Sequence, residues 1–254
     1  MIERFITYLT KEKRYSLHTA ISYRTDLNSF RQYLDKSYDG VAFEKCTPVI
    51  IRSWLAEMAS MNYNPRSLRR KRTALSSFYR YLIYIGLTDT NPTRGIPLPK
   101  LPVRLPVFAD EKSVQTILAS GEKNNDYPTV RNQLIFEIFY ATGMRLSELI
   151  GIKTTDIDYG KCTIKILGKR NKERIVPFSK QLLEHMNAYE SLKNEWFDDL
   201  ETDSNYFLTN TGRKLYPKYV YRAIHQSLEN VTSLSKKSPH VMRHTFATHM
   251  LQNG

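Results

Sequence analysis

Five prolines fall within Asn91–Phe108 (NPTRGIPLPKLPVRLPVF), at positions 92, 97, 99, 102 and 106. Proline offers no backbone N–H and pushes the residue before it toward extended geometry, so no helix runs through this stretch. The chain is therefore predicted to divide into a domain at 1–90, a semi-rigid linker at 91–107 and a second domain at 108–254. A length of 254 residues accommodates two modest domains.

The two sides read differently. Before the prolines the apolar spacing is helical throughout, predicting four helices with short connections. The first covers 2–13. The second is capped by Ser16 and carries Leu17, Ala20, Ile21, Tyr23, Leu27, Phe30, Tyr33 and Leu34. The third opens at Thr47-Pro48 and the fourth at Asn64-Pro65, with proline suited to a first turn. Gly86 closes the fourth. After the prolines, helices are predicted at 110–120, 129–142, 179–194, 216–229 and 243–251, with a short turn of helix from Ser147. A hairpin is expected where Cys162–Leu167 and Glu173–Pro177 flank a polar turn, and a short strand at Tyr206–Leu208. The fold class is mainly α, with a four-helix N-terminal domain and a mostly helical second domain holding a small β-hairpin.

Charge narrows the function. Lys and Arg number 38 against 25 Asp and Glu, a net of +13. The excess is uneven: residues 1–107 hold 18 basic and 8 acidic side chains, residues 108–254 hold 20 and 17. Such a cation excess favours a polyanion, nucleic acid above a membrane surface. A purely structural helical protein would leave it unexplained. No apolar run is long enough to span a bilayer, and the first residues lack a signal core. Cys46 and Cys162 lie far apart without metal-ligand spacing and read as reduced thiols. A cytoplasmic protein is expected.

Several residues carry chemistry. The fourth helix places Arg66, Arg69, Arg70, Arg72 and Arg80 off its apolar face. They suit duplex phosphates or a major groove, or else form a solvated basic face. Arg145 follows Thr142-Gly143 at a helix end, and its planar fork fits a phosphate bidentately. Glu148 lies one turn on and can orient it, although an Arg–Glu pair at this spacing is also a common structural feature. His240 and Arg243, after Pro239, point one way from a single turn and add a titratable group and a second arginine. Lys169 sits in the hairpin turn with Arg170, Lys172 and Arg174; it can deliver a proton to a leaving alkoxide or simply be a solvated turn. With no cysteine or carboxylate near the histidines, no metal is expected, and no other cofactor.

Taken in order, Tyr15-Ser16…Thr19…Tyr23…Asp26-Leu27, Asn91-Pro92, ATGMRLSEL, GKRNKERIVP and PHVMRHTFATHML resemble the tyrosine recombinase/integrase family, most closely its Xer-type members. The resemblance spans nearly the whole chain. It implies a SAM-like core-binding domain followed by a catalytic domain. It also implies that Arg145 and Arg243 are catalytic arginines, Glu148 an acidic companion, His240 the catalytic histidine and Lys169 the hairpin lysine, with Lys172 the second candidate. By the same resemblance the partner is a double-stranded recombination site, bound by a homo- or hetero-tetramer on two duplexes. The chemistry implied is metal-free transesterification through a 3′-phosphotyrosyl link and a Holliday junction.

The resemblance stops at the end of these residues. The family continues past H-x-x-R into a Leu-Gly-His segment and a nucleophilic tyrosine. Here 17 tyrosines are present and none follows Arg243. Two expectations follow: a piece of a full recombinase, the preferred reading, or a natural remnant or regulator that binds DNA without cutting it. Either way these residues are expected to bind DNA and form no covalent adduct.

Overall fold

The computed structural model describes residues 1–101, 107–120, 125–168, 172–197, 204–229, 231–232, 234 and 236–252. The chain forms two compact units, Met1–Arg104 and Leu105–Gly254. It is mainly helical, with one small antiparallel sheet in the second unit. Among the described residues, no helix is long and apolar enough to cross a membrane.

The first unit holds α1 (Ile2–Thr7), α2 (Leu17–Ser37), α3 (Pro48–Ser60) and α4 (Pro65–Tyr84). The expected first helix, 2–13, is only half α-helical: a π-helical turn covers Tyr8–Glu12. The start signals act as read. Ser16 Oγ accepts from Thr19 N at 3.3 Å, and Asn64 Oδ1 from Arg66 N at 2.9 Å, while Pro48 and Pro65 occupy first turns. Phe30, Trp54, Leu75 and Phe78 are buried together at the centre, and Tyr79 Oη, also buried, donates to Phe43 O at 2.9 Å.

A buried ion pair lies inside this core. Asp26 of α2 is fully buried and receives Lys71 Nζ at 3.2 Å and Arg70 Nη1, both from α4. The Lys71 ammonium, itself buried, also faces the rings of Trp54 and Tyr63 at 5.4 and 5.7 Å. Burial pushes the Asp26 carboxyl above its ordinary value, and Lys71 and Arg70 pull against that rise.

The first part of the expected linker packs onto this unit. Asn91 Nδ2 donates to Ser76 O at 3.2 Å, Arg72 Nη1 to Ile96 O at 2.9 Å, and Ile96 is buried. Side-chain donors from α4 hold the extended backbone that the prolines enforce. Residues 102–106, where the spacer would continue, lie outside the described set.

The second unit runs α5 (Glu111–Ser120), α6 (Tyr127–Thr142), α7 (Leu146–Ile150), β1 (Ile157–Asp158), β2 (Thr163–Leu167), β3 (Glu173–Pro177), α8 (Lys180–Trp196), α9 (Pro217–Glu229) and α10 (Pro239–Gln252). The expected hairpin is β2–β3, and β1 adds a strand to it, in the order β1-β2-β3. Two helices start earlier than expected. α6 begins at Tyr127 behind the Asp126 cap, and α10 begins at Pro239 rather than Arg243.

Tyr206–Leu208 is not a strand; it makes only isolated pairings at its margins, Lys153 with Asn205 and Leu208 with Lys214. Its carbonyls are taken by side chains instead. Tyr206 O accepts from Tyr189 Oη at 3.1 Å; Leu208 O accepts from Tyr127 Oη at 3.0 Å and Arg131 Nη1 at 2.8 Å. Arg131 is fully buried, between the rings of Tyr127 and Tyr219 at 5.0 and 4.8 Å, and ties α6 to α9.

Replacing Asp26 with Ala leaves the buried Lys71 ammonium without its counter-ion. The expected cost is about 3 kcal/mol. Urea unfolding of Asp26→Ala measures it, and a midpoint unchanged from wild type refutes this account of the α2–α4 contact.

Candidate active site

α6 ends at Gly143, whose φ of +57° turns the chain in the left-handed region. That residue fixes three things at once. Its carbonyl accepts from Nη1 of Arg243 on α10. Its missing side chain is filled by Phe246 of α10: a Cβ here would lie 2.8 Å from Cε1 and 2.9 Å from Cγ of that ring. Two residues on, Arg145 caps α7. The α6–α7 turn and α10 are thus locked together where both predicted arginines stand.

Arg145 is exposed, and its main chain and side chain are both held by Glu148. Arg145 N donates to Glu148 Oε2 at 2.8 Å and Nη1 to Oε1 at 2.9 Å. The other guanidinium nitrogens have no protein partner among the described residues. Glu148 is buried, and a second arginine reaches it: Arg174 of β3 donates Nη1 to Oε1 at 3.0 Å and Nη2 to Oε2 at 2.7 Å. Burial works to raise the Glu148 carboxyl, but hydrogen bonds from Arg174, the Arg145 backbone and the Arg145 side chain outweigh it and hold the group at about 2.

His240 and Arg243 lie one turn apart on α10, which starts at Pro239. His240 is exposed and Arg243 half-buried. His244 is exposed, whereas His249 is buried with Nδ1 3.2 Å from Tyr140 Oη; neither joins the arginines. Lys169 lies outside the described residues, as does Arg170. The hairpin base before it is fixed: Gly168 N donates to Lys172 O at 2.8 Å, and Gly168 packs beside Arg174 and Glu148. Lys172 is exposed.

The five arginines of α4 are not equivalent. Arg66 and Arg80 are exposed; Arg80 Nε bonds only its own helix, at Ser76 O (3.4 Å), and Arg66 has no side-chain partner among the described residues. Arg69 reaches Pro99 O at 3.3 Å and Arg72 reaches Ile96 O, the two lining a cleft of about 310 Å³ with Thr73 and Pro97. Arg70 is committed to Asp26 and Ser22. Sequence reasoning passed over a second basic surface, on and before α9. Arg213, Lys214, Lys218 and Arg222 are exposed there alongside Tyr216 and Tyr221. The RKLYPKYVYR run, cations interleaved with aromatics, was the available signal.

Residues 108–254 match the phage integrase family and residues 2–85 match the phage integrase N-terminal SAM-like domain. The chain is 32% identical over 258 residues to tyrosine recombinase XerC of Pediococcus pentosaceus, covering 100% of this chain and 85% of that protein. It is 30% identical over 253 residues to tyrosine recombinase XerD of Halalkalibacterium halodurans, covering 100% and 84%. Its fold is shared with the XerH site-specific recombinase bound to palindromic difH substrate, at a TM-score of 0.74 and 19% identity over 100% of this chain and 74% of that one. The chain belongs to the phage integrase family of tyrosine recombinases and is of its Xer-like kind, with the SAM-like domain preceding the catalytic domain. The chemistry of that family is the cutting and rejoining of DNA.

Two outcomes follow from this geometry. Gly143→Ala should lose about 3 kcal/mol in denaturant unfolding, because φ is positive and the Cβ meets a ring. Gly143→Ala with Phe246→Ala should remove the clash but keep the backbone strain, so it must not restore wild-type stability. The second outcome concerns acid. Unfolded Glu148 takes its proton near 4.5 and folded Glu148 near 2. The stabilisation is therefore whole above 4.5 and is lost as pH falls toward 2. Its size is about 2 kcal/mol once the half-exposed arginines are allowed for. Glu148→Gln should flatten that part of the acid-unfolding curve; an unchanged curve would rule the contact out as its source.

Proposed function

We propose that this chain carries the phosphate-activating half of a site-specific DNA recombinase. In that role Arg145 and Arg243 hold a scissile phosphate. The observation that carries the reading is the lock at Gly143, which seats one arginine on its carbonyl and the other two residues on. Two fixed guanidiniums at one turn suit the charge that grows on the non-bridging oxygens during transesterification. A tyrosine oxygen attacks phosphorus, the bond to the 5′ oxygen breaks, and the leaving oxygen takes a proton from Lys169. His240 assists proton transfer, and Glu148 orients Arg145. The 3′-phosphotyrosyl link keeps the phosphodiester energy, so the freed 5′-hydroxyl of a partner duplex can reverse the step and build a Holliday junction.

Residues 1–254 contain no tyrosine after Arg243. The polypeptide of these residues is accordingly assigned DNA binding without cleavage. Duplex contacts come from Arg66, Arg69, Arg70, Arg72 and Arg80 of α4, from Lys172, and from the basic face of α9. The working assembly is four protomers, alike or of two kinds, on two duplexes in the cytoplasm.

The test is fluorescence anisotropy with duplex DNA across a salt series, followed by denaturing gels on a nicked duplex. Affinity should fall with a log–log slope of about −0.9 per phosphate contacted, reaching −4 or steeper. Arg145→Ala should change that affinity by less than about threefold, since one contact among many is lost. No protein–DNA adduct should survive denaturation. An adduct that does survive refutes the assignment of binding without cleavage, and salt-independent binding refutes the phosphate contacts.

A further inference from the structure

Glu148 is the most heavily bonded carboxylate in the second unit among the described residues. It accepts four hydrogen bonds, two from Arg145 and two from Arg174. Arg174 stands in β3 opposite Ile166, a buried position, so the pleat carries its side chain to the inner face of the sheet. It takes both carboxylate oxygens side by side, the bidentate geometry that gives the strongest pairing of this kind. Arg145 gives the same carboxylate only one guanidinium nitrogen. The proximity of Gly168 completes the arrangement. A Cβ there would come within 3.2 Å of Arg174 Nη1 and 3.6 Å of Glu148 Oε1.

Charge decides what this does. One buried carboxylate facing Arg145 alone would cancel its cation just where a phosphate is to be held. With Arg174 present, two guanidiniums share one negative charge, and the site keeps a net +1. Resting on the phosphate-holding role proposed above, we infer that Arg174 is a positioning residue that takes up the charge of Glu148 and ties the β2–β3 hairpin to α7. Arg145 is thereby oriented by Glu148 without being neutralised by it.

The experiment uses inorganic phosphate at pH 7, followed by NMR at the Arg145 Nε and His240 ring resonances. Phosphate should shift both saturably in wild type, and should leave the His240 ring unshifted in Arg145→Ala. Arg174→Gln should bind phosphate about tenfold more weakly, the loss expected when one charged interaction no longer favours the anion. Arg174→Lys, which keeps the charge and serves should the glutamine variant fail to fold, should stay within about threefold of wild type, by the same conversion. The deciding variant is Arg174→Gln combined with Glu148→Gln. Removing the charge that Arg174 offsets should restore the affinity that Arg174→Gln lost, whereas a merely architectural arginine would not be rescued this way. No loss in Arg174→Gln, or no rescue in the double variant, overturns the inference. If phosphate shifts persist in Arg145→Ala, it is the phosphate-site reading that fails. The Glu148 carboxyl titration then still tests the link: it should rise from about 2 in Arg174→Gln, and an unmoved value overturns it.

Discussion

The candidate site of the second unit depends on how closely α10 approaches the end of α6. The approach is possible only because residue 143 has no side chain. Phe246 occupies the space a Cβ would need, and Arg243 reaches the carbonyl of the same residue. A positive φ and a steric vacancy are separate demands, and glycine meets both. The consequence is geometric coupling between chain segments a hundred residues apart. Displacing the turn moves Arg145, and displacing α10 moves His240 and Arg243 together.

The two units solve the problem of an interior charge alike. In each, one buried carboxylate is shared by two cations: Asp26 by Lys71 and Arg70 of α4, Glu148 by Arg145, the cap of its own helix, and by Arg174 of β3. A single ion pair in such a place returns little, since desolvation offsets the attraction. Shared carboxylates instead fix the register of one element on another, α4 on α2 and β3 on α7. They also leave a net cation at the surface. Arg70 and Arg145, the more exposed member of each trio, are where that cation is presented.

Much of this was legible in the sequence, because local rules wrote it. Ser16, Thr47-Pro48 and Asn64-Pro65 start helices by satisfying or dispensing with first-turn N–H groups, a matter of three or four residues. Gly143 and the one-turn spacing of His240 and Arg243 are equally local. The misreadings involve distant partners. Tyr206–Leu208 has the composition of a strand, but Tyr127, Arg131 and Tyr189 claim its carbonyls from other helices. Arg174 looked like one of several cations in a polar turn. Its register opposite Ile166, which puts a charge on the inner face and so demands a counter-ion, was the signal that could have marked it. Arg70 looked free for the same reason: nothing near it in sequence announces Asp26, forty-four residues earlier.

The commitment of α4's arginines to protein groups does not remove them from a role toward a polyanion. A guanidinium has five N–H donors in a rigid plane, and Arg69 and Arg72 each spend one on a backbone carbonyl. The remaining donors keep a fixed direction, so ordering them against a phosphate costs less side-chain entropy than ordering a free arm. A lysine could not divide itself this way, because its point charge sets no direction for a second partner. The carbonyls that hold these two arginines, Ile96 and Pro99, belong to the proline-rich segment, whose own backbone has few donors with which to satisfy them internally. The stretch that breaks the helical pattern thus supplies acceptors, and its conformation and the aim of the arginines are set by the same hydrogen bonds.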